Sequence, residues 1–407
     1  MTASDPIAAM LGRYVDADEI AGATTLVWKD GKVVQTCATG WRDRESLELL
    51  ERDAIFRIAS MTKPVTSVAA LMLVDEGRIA LADPISRWAP EFADMRVLRS
   101  PTGPLDETDP AAREITFDDL LTHRSGLTYG SFHAGPIQPA YEAALGGDID
   151  SHVAPDDWIT ALAALPLIDQ PGAGFHYGNS TDLLGFLIAR IEGEPLGAVL
   201  QRRIFGPLGM MDTGFTVPAD KAHRKAQLYG FDAAGGMIPR PTGASGAGAV
   251  LPERPADMTY VSGSGGLWST LDDYLAFARL FLGDGAVDGV RLLQPGTLGA
   301  MMTNQLTEDQ RARGETLGMP IFTAHGFGYG LAVVMDPATA AVTRCKGGVG
   351  TVGWPGAYGG WWQADPTSGT VMIFLVHNVM ELEQMAMGIG LGVYGAITEF
   401  HGLASAL

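Results

Sequence analysis

The strand-forming segments of this chain lie near its two ends, with helical and loop-rich sequence between them. Ala23–Lys29 and Lys32–Ala38 have strand composition, and Asp30-Gly31 between them is a strong hairpin signal. Strand composition returns in Phe327–Met335, Ala357–Ala364 and Thr370–His377, with Pro366-Thr-Ser-Gly369 as the turn between the last two. Such a distribution predicts one sheet built from both ends of the chain, interrupted by a helical insertion. The expected division is a discontinuous sheet-containing α/β (α+β) domain of residues 1–95 and 255–407, with a mostly helical domain of residues 96–254 inserted into it. Helices are expected over 8–20, from Ser60 to Gly77, over Ser180–Glu192 and Glu194–Arg203, from a cap at Thr270 to Leu282, and over Glu381–Phe400. With 407 residues, 46% of them hydrophobic, the chain can bury a large core.

Charge narrows the function. A formal net charge of −19 is unsuited to nucleic acid or an anionic membrane surface, so neither is an expected partner. Cys37 and Cys345 are the two cysteines; they imply no disulfide framework, and no Cys/His cluster has zinc spacing, so no metal or cofactor is expected. The start, Met1-Thr-Ala-Ser-Asp-Pro-Ile7, lacks the pattern of a signal peptide, and no apolar run is long enough to span a bilayer; the expectation is a cytoplasmic protein.

Three short motifs carry chemistry. Ser60-Met-Thr-Lys63 opens an apolar helical segment in which Val65, Val68, Ala69 and Met72 repeat at helical spacing. Residues three apart share a helix face, so Lys63 can reach the Ser60 hydroxyl and help remove its proton. Six lysines and 16 serines give about 0.24 such pairs by chance, so this motif alone is weak. Tyr177-Gly-Asn179 is the single Y-x-N, with about 0.07 expected by chance. A phenol beside a lysine can shuttle protons, and Asn179 can hold a substrate carbonyl or Lys63. The third is Trp354-Pro-Gly356, inside a glycine-rich stretch leading into a strand, where backbone can approach a ligand closely. The nucleophile-elbow pattern G-x-S-x-G is absent: the segments around Ser180 and Ser245 each lack the final glycine, which assigns both serines to structure.

In this order the three motifs resemble those of the serine β-lactamase and penicillin-binding protein superfamily, and the resemblance extends to Phe56–Lys63, Leu120–Leu127, Gly265–Thr270 and Gly328–Leu331. It spans roughly residues 8–400, and the branch it resembles most is that of the family VIII carboxylesterases, which are similar to class C β-lactamases. The resemblance implies a β-lactamase-like fold: an antiparallel sheet flanked by helices. It also implies Ser60 as nucleophile, Lys63 and Tyr177 as its proton relay, and Asn179, Trp354 and Gly356 on the substrate side. The backbone N–H groups of Ser60 and Ala357 would form an oxyanion hole. The sequence departs from the K-T-G usual in β-lactamases at the third motif, where Trp354 replaces the lysine that holds a substrate carboxylate; Lys346-Gly-Gly348 is the upstream alternative.

The expected activity is therefore hydrolysis of small neutral acyl esters through an acyl-enzyme. The alternatives are a β-lactamase or D-amino-acid peptidase, an acyltransferase using the same acyl-enzyme, and a non-catalytic binding protein on the same fold. His123 is read as a structural histidine. Trp361 and Trp362 are assigned to the pocket wall or the core, with the core at least as favoured.

Overall fold

In the computed structural model, residues 5–147, 151–240, 259–316, 319–341, 346–379 and 381–407 are described. Among these residues the sheet has eight strands: β1 (Gly22–Lys29), β2 (Lys32–Asp43), β3 (Glu48–Leu49), β4 (His325–Phe327), β5 (Ala332–Val334), β6 (Val352–Pro355), β7 (Trp361–Asp365) and β8 (Thr370–Val376). Their order is β4-β5-β6-β7-β8-β1-β2-β3, and every pairing is antiparallel. As expected, the two ends of the chain build a single sheet. β1 and β2 form the hairpin marked by Asp30-Gly31, both residues holding positive φ (52° and 79°), as a type I′ turn requires.

Both faces of the sheet are covered, and β8 shows how. Val371, Ile373 and Leu375 enter one apolar cluster, while Met372, Phe374 and Val376 enter another. The second cluster lies beneath helices α1 (Pro6–Asp16) and α6 (Gly392–Ala404), which pack together. Helix α1 starts earlier than expected because Asp5 Oδ1 accepts from Ile7 N at 2.9 Å and Pro6 occupies the first helical position. The first cluster is larger. It runs from the sheet through α2 (Thr62–Asp75) to Leu120 and Leu121 of α3 (Phe117–Leu121), Leu183 and Leu187 of α4 (Ser180–Glu192), and Leu271 and Phe277 of α5 (Leu271–Ala278). Helix α2 lies along α4 and is buried over most of its length, so its apolar residues point nearly all round.

Other expected elements differ as well. Phe327–Met335 is not one strand: Phe327 ends β4, residues 328–331 form a hairpin turn, and β5 follows. There Gly330 N–H donates to Leu121 O at 2.9 Å and pins the turn to α3. Ala357–Ala364 begins as a turn after β6, and its strand starts only at Trp361. The closing helix is split into Leu382–Ala386 and α6, with glycines Gly388 and Gly390 at positive φ between them. Trp361 and Trp362 are both core residues. Trp362 packs against Tyr274 and Phe281, and Trp361 lies in the cluster beneath α6. Among the described residues, no helix is long and apolar enough to cross a membrane and no cluster of His, Cys, Asp or Glu has metal-binding geometry. Cys37 is a free thiol; Cys345 and Ser245 fall outside the described residues.

Candidate active site

Ser60 sits in a 3-10 turn, Ala59–Met61, that leads into α2, one turn ahead of the regular helix expected there. The preceding residue, Ala59, holds φ at +44°, a left-handed conformation that costs a non-glycine residue about 1 kcal/mol. Its neighbours hold it there. Phe56 and Arg57 pair with Ser269 and Trp268, and Ile58 N–H donates to Leu267 O at 3.0 Å. From the other side Gly356 is pressed so close that an added Cβ would lie 2.6 Å from Ile58 O. Only glycine fits that approach, which explains the third residue of the Trp354-Pro-Gly motif.

Helix α2 carries Lys63 onto the same face as Ser60, with Nζ 3.4 Å from Ser60 Oγ. Tyr177 arrives from the turn ahead of α4, its hydroxyl hydrogen-bonding Ser60 Oγ at 2.8 Å. Lys63 Nζ lies 4.4 Å from the centre of the Tyr177 ring. Trp354 Nε1–H donates to the Tyr177 hydroxyl at 3.3 Å. All three sequence motifs therefore meet at Ser60 Oγ. Ser60, Tyr177 and Trp354 are half-buried, whereas Lys63 is buried, 1% exposed. A buried amine is costly unless its donors are satisfied. Here they are: besides Ser60, Nζ donates to Ser264 O at 3.1 Å and to the Tyr129 hydroxyl at 3.5 Å.

Tyr129 and Ser264 are the residues that sequence reasoning missed, together with Asp182 behind them. The Tyr129 hydroxyl is 2.9 Å from Ser264 Oγ, and Ser264 Oγ–H donates to Asp182 Oδ2 at 2.7 Å. Burial pushes the Asp182 carboxyl up from its ordinary value, a rise opposed by the Lys63 charge and by donors from Ser262 and Ser264. Burial also drives the Tyr129 phenol well above its ordinary value, with the Asp182 charge adding to it.

The remaining motif residues are placed as follows. Asn179 is buried and its Nδ2–H donates to Thr128 O at 2.9 Å, so its amide nitrogen holds the backbone beside Tyr129. Gly178 lets that backbone in, since an added Cβ would lie 2.3 Å from Thr128 Cα. Ala357 is exposed on the turn after β6. Lys346 is remote from the motif: Nζ lies toward Gly402 of α6, on one face of the sheet. Trp354, opposite Trp362 in the β6–β7 register, lies on the other. His123 packs its ring 4.9 Å from that of Tyr177 and is fully buried; burial and the nearby Lys63 charge hold its pKa well below the usual histidine value. Ser180 is buried, with Oγ 2.8 Å from Ser125 Oγ. A wall of Phe175, Phe322 and Phe327 extends from Tyr177 and Trp354. A separate cavity of about 1000 Å³ lies elsewhere, bordered by Ser262, Gly265, Phe215 and Trp268 and by none of Ser60, Lys63, Tyr177 or Trp354.

This fold and this site define a serine hydrolase of β-lactamase fold. The chain belongs to the Beta-lactamase family, whose family model matches residues 7–387. It is 45% identical over 374 residues to Protein Rv1367c of Mycobacterium tuberculosis, covering 92% of this chain and 90% of that protein. It is 31% identical over 370 residues to Esterase EstB of Burkholderia gladioli, covering 89% and 87%. Among solved structures it is similar to EstCE1, a hydrolase with promiscuous acyltransferase activity: the TM-score is 0.77 at 26% identity, covering 96% of this chain and 97% of that one.

Proposed function

We propose that this protein is a serine carboxylesterase of the family VIII type, hydrolysing small neutral acyl esters through an acyl-enzyme on Ser60. The observation that carries the reading is the convergence of the Tyr177 hydroxyl and the Lys63 amine on Ser60 Oγ. Ser60 Oγ attacks the ester carbonyl carbon while its proton passes to the Tyr177–Lys63 pair. The oxyanion is received by the backbone N–H groups of Ser60 and Ala357. The proton then goes to the departing alcohol oxygen as the carbon–oxygen bond breaks, leaving an ester on Ser60. Water attacks this ester, gives a proton to the same pair, and Oγ recovers it as the acid departs. Trp354, Gly356 and the aromatic wall flank the substrate, and the similarity to Esterase EstB supports an ester as that substrate.

Trp354 stands where the related β-lactamases and peptidases keep a lysine, so the site lacks that anchor for a carboxylate. The charge of −19 adds long-range repulsion of anions. Acyl transfer is the second reading, favoured by the likeness to EstCE1; there an alcohol replaces water in the second half-reaction.

The test is a panel of p-nitrophenyl acyl esters run beside a penicillin and a chromogenic cephalosporin, with a fluorophosphonate to label the nucleophile. The expected result is one adduct on the Ser60 peptide and a kcat/KM for the butyrate at least about 100-fold above that for the penicillin. Efficient penicillin hydrolysis with negligible esterase activity would overturn the assignment.

A further inference from the structure

Behind Lys63 a chain of hydrogen bonds runs away from the substrate and ends on a buried acid. Asp182, on the first turn of α4, has no exposed surface. Its two oxygens accept from Ser262 Oγ–H at 2.7 Å, Ser264 N–H at 3.2 Å and Ser264 Oγ–H at 2.7 Å. Three donors on one carboxyl group match the ionised form, which only accepts. That fixes the direction of every bond further along. Ser264 has committed its proton to Asp182, so it accepts from the Tyr129 hydroxyl. Tyr129 has then committed its proton to Ser264, so its oxygen accepts from Lys63. The same Ser264 offers its carbonyl oxygen to Lys63. Two of the three ammonium protons are thereby claimed from behind, and the third is left aimed at Ser60 Oγ.

We infer that Asp182 is a positioning residue of the reaction: through Ser264 and Tyr129 it orients the Lys63 ammonium toward Ser60 and supplies its counter-charge. The inference rests on the catalytic reading of Ser60 and Lys63 given above. Gly263 makes the arrangement rigid. It is pressed onto α4, where an added Cβ would lie 2.8 Å from Thr181 O, and its carbonyl accepts from Thr66 Oγ1 of α2 at 2.7 Å. The serines that link carboxylate to amine are thus clamped between the helices that carry them. Among the described residues, the titratable groups facing this chain are Lys63 from α2, His123 and Tyr129 from the segment after α3, Tyr177 ahead of α4, and Tyr260 from the segment before α5. Asp182 is the carboxylate among them.

A sign follows for the pH profile. With Lys63 held as the ammonium, Tyr177 as the phenolate is the member of the pair that takes the Ser60 proton, and activity falls on the acid side when Tyr177 holds its proton as well and the unit becomes cationic overall. A neighbouring anion stabilises that cation, so removing it lowers the pH at which the unit protonates. Asp182→Asn, made in the full chain and checked for native circular dichroism, is expected to lower kcat about 30-fold with KM changed less than about threefold. The acid limb of its kcat/KM profile should move down by about one pH unit. Ser264→Ala, which keeps the carbonyl oxygen but cuts the link to Tyr129, should move the limb the same way by a smaller amount.

A folded Asp182→Asn with wild-type kcat overturns the inference. So does a fall in kcat with the acid limb unmoved, since that is what a merely structural residue would do. If Asp182→Asn does not fold, Ser264→Ala decides, and an unmoved limb there is fatal. Fluorophosphonate labelling separates the two levels. If the wild-type enzyme gives no adduct on Ser60, the catalytic reading itself has failed; if it does, and the variants behave like wild type, Asp182 alone was misassigned.

Discussion

Lys63 divides the site into two sides built on different principles. Toward the substrate lie half-buried aromatic and hydroxyl groups, Ser60, Tyr177 and Trp354, joined by hydrogen bonds of 2.8 and 3.3 Å. Toward the interior lie Tyr129, Ser264 and Asp182, all at most 2% exposed and each with its polar groups engaged. The outer side can exchange protons with a substrate. The inner side cannot, because a proton taken from it would leave an unpaired polar group in a low-dielectric interior. An amine at the boundary can change its partner on one side while remaining fixed on the other.

The largest expected effects lie on the outer side. Ser60→Ala should abolish ester turnover and the fluorophosphonate adduct while leaving the thermal midpoint near wild type, since the side chain removed is half-buried and small. Lys63→Ala and Tyr177→Phe should each reduce kcat by about 10³-fold or more, and the double variant should lose little beyond either single, as members of one relay do. Additive losses in that cycle would mean the two residues act separately, and the boundary described above would not exist.

A smaller effect is expected at Trp354→Phe. The ring is largely kept, and what is lost is the Nε1–H donated to Tyr177 at 3.3 Å. A single bond of that length is worth about 1 kcal/mol, which corresponds to roughly fivefold in turnover. A loss comparable to that of Tyr177→Phe would show that Trp354 takes part in proton transfer and does more than steady the phenol.

The remaining effect is on stability, not turnover, and concerns the interior. His377 is fully buried and its pKa is pushed down to about 3, while His123 beside Lys63 is also held well below the usual value. In the unfolded chain both titrate near 6.5. Between the folded and unfolded values the unfolded state binds more protons, so stability is full above about pH 6.5 and falls as the pH drops toward 3. The slope is up to about 1.4 kcal/mol per pH unit for each histidine. Urea midpoints measured across the range from about pH 7 to pH 5 should therefore decline, and less steeply in His377→Gln. A flat midpoint would mean that water and protons reach these rings, contrary to a closed interior.

The outer side was legible in the sequence and the inner side was not, for a physical reason. Ser60, Lys63, Tyr177 and Trp354 sit in motifs whose spacing is set by local geometry: one helical turn in S-x-x-K, one tight turn in Y-x-N. Asp182, Tyr129 and Ser264 are brought together by packing between α4, the segment after α3 and the segment before α5, and nothing local announces it. Traces were present nonetheless. Asp182 is the residue that spoils G-x-S-x-G around Ser180, Tyr129 stands two places beyond the family-like Leu120–Leu127, and Ser264 immediately precedes Gly265–Thr270. The misread strands near Phe327 and Ala357 share another cause. Aromatic and glycine-rich runs have strand composition, but here their glycines make turns that dock on α3 and beside Ser60. The pairing of chain ends was read correctly because the apolar runs of β1 and β8 are long and end in clear turns.

That pairing has a consequence for the order of folding. Ala23 lies opposite Val376, 353 positions along the chain, so the contact between β1 and β8 is among the most non-local the molecule makes. Closing so long a loop costs entropy before it returns any stability, which slows the step and tends to place it late. Ser60 follows the first strands and Trp354 precedes the last, so the two reach one another only after the sheet has closed. During refolding, helical signal should return first and esterase activity afterwards, with the interval between them set by the joining of the two ends.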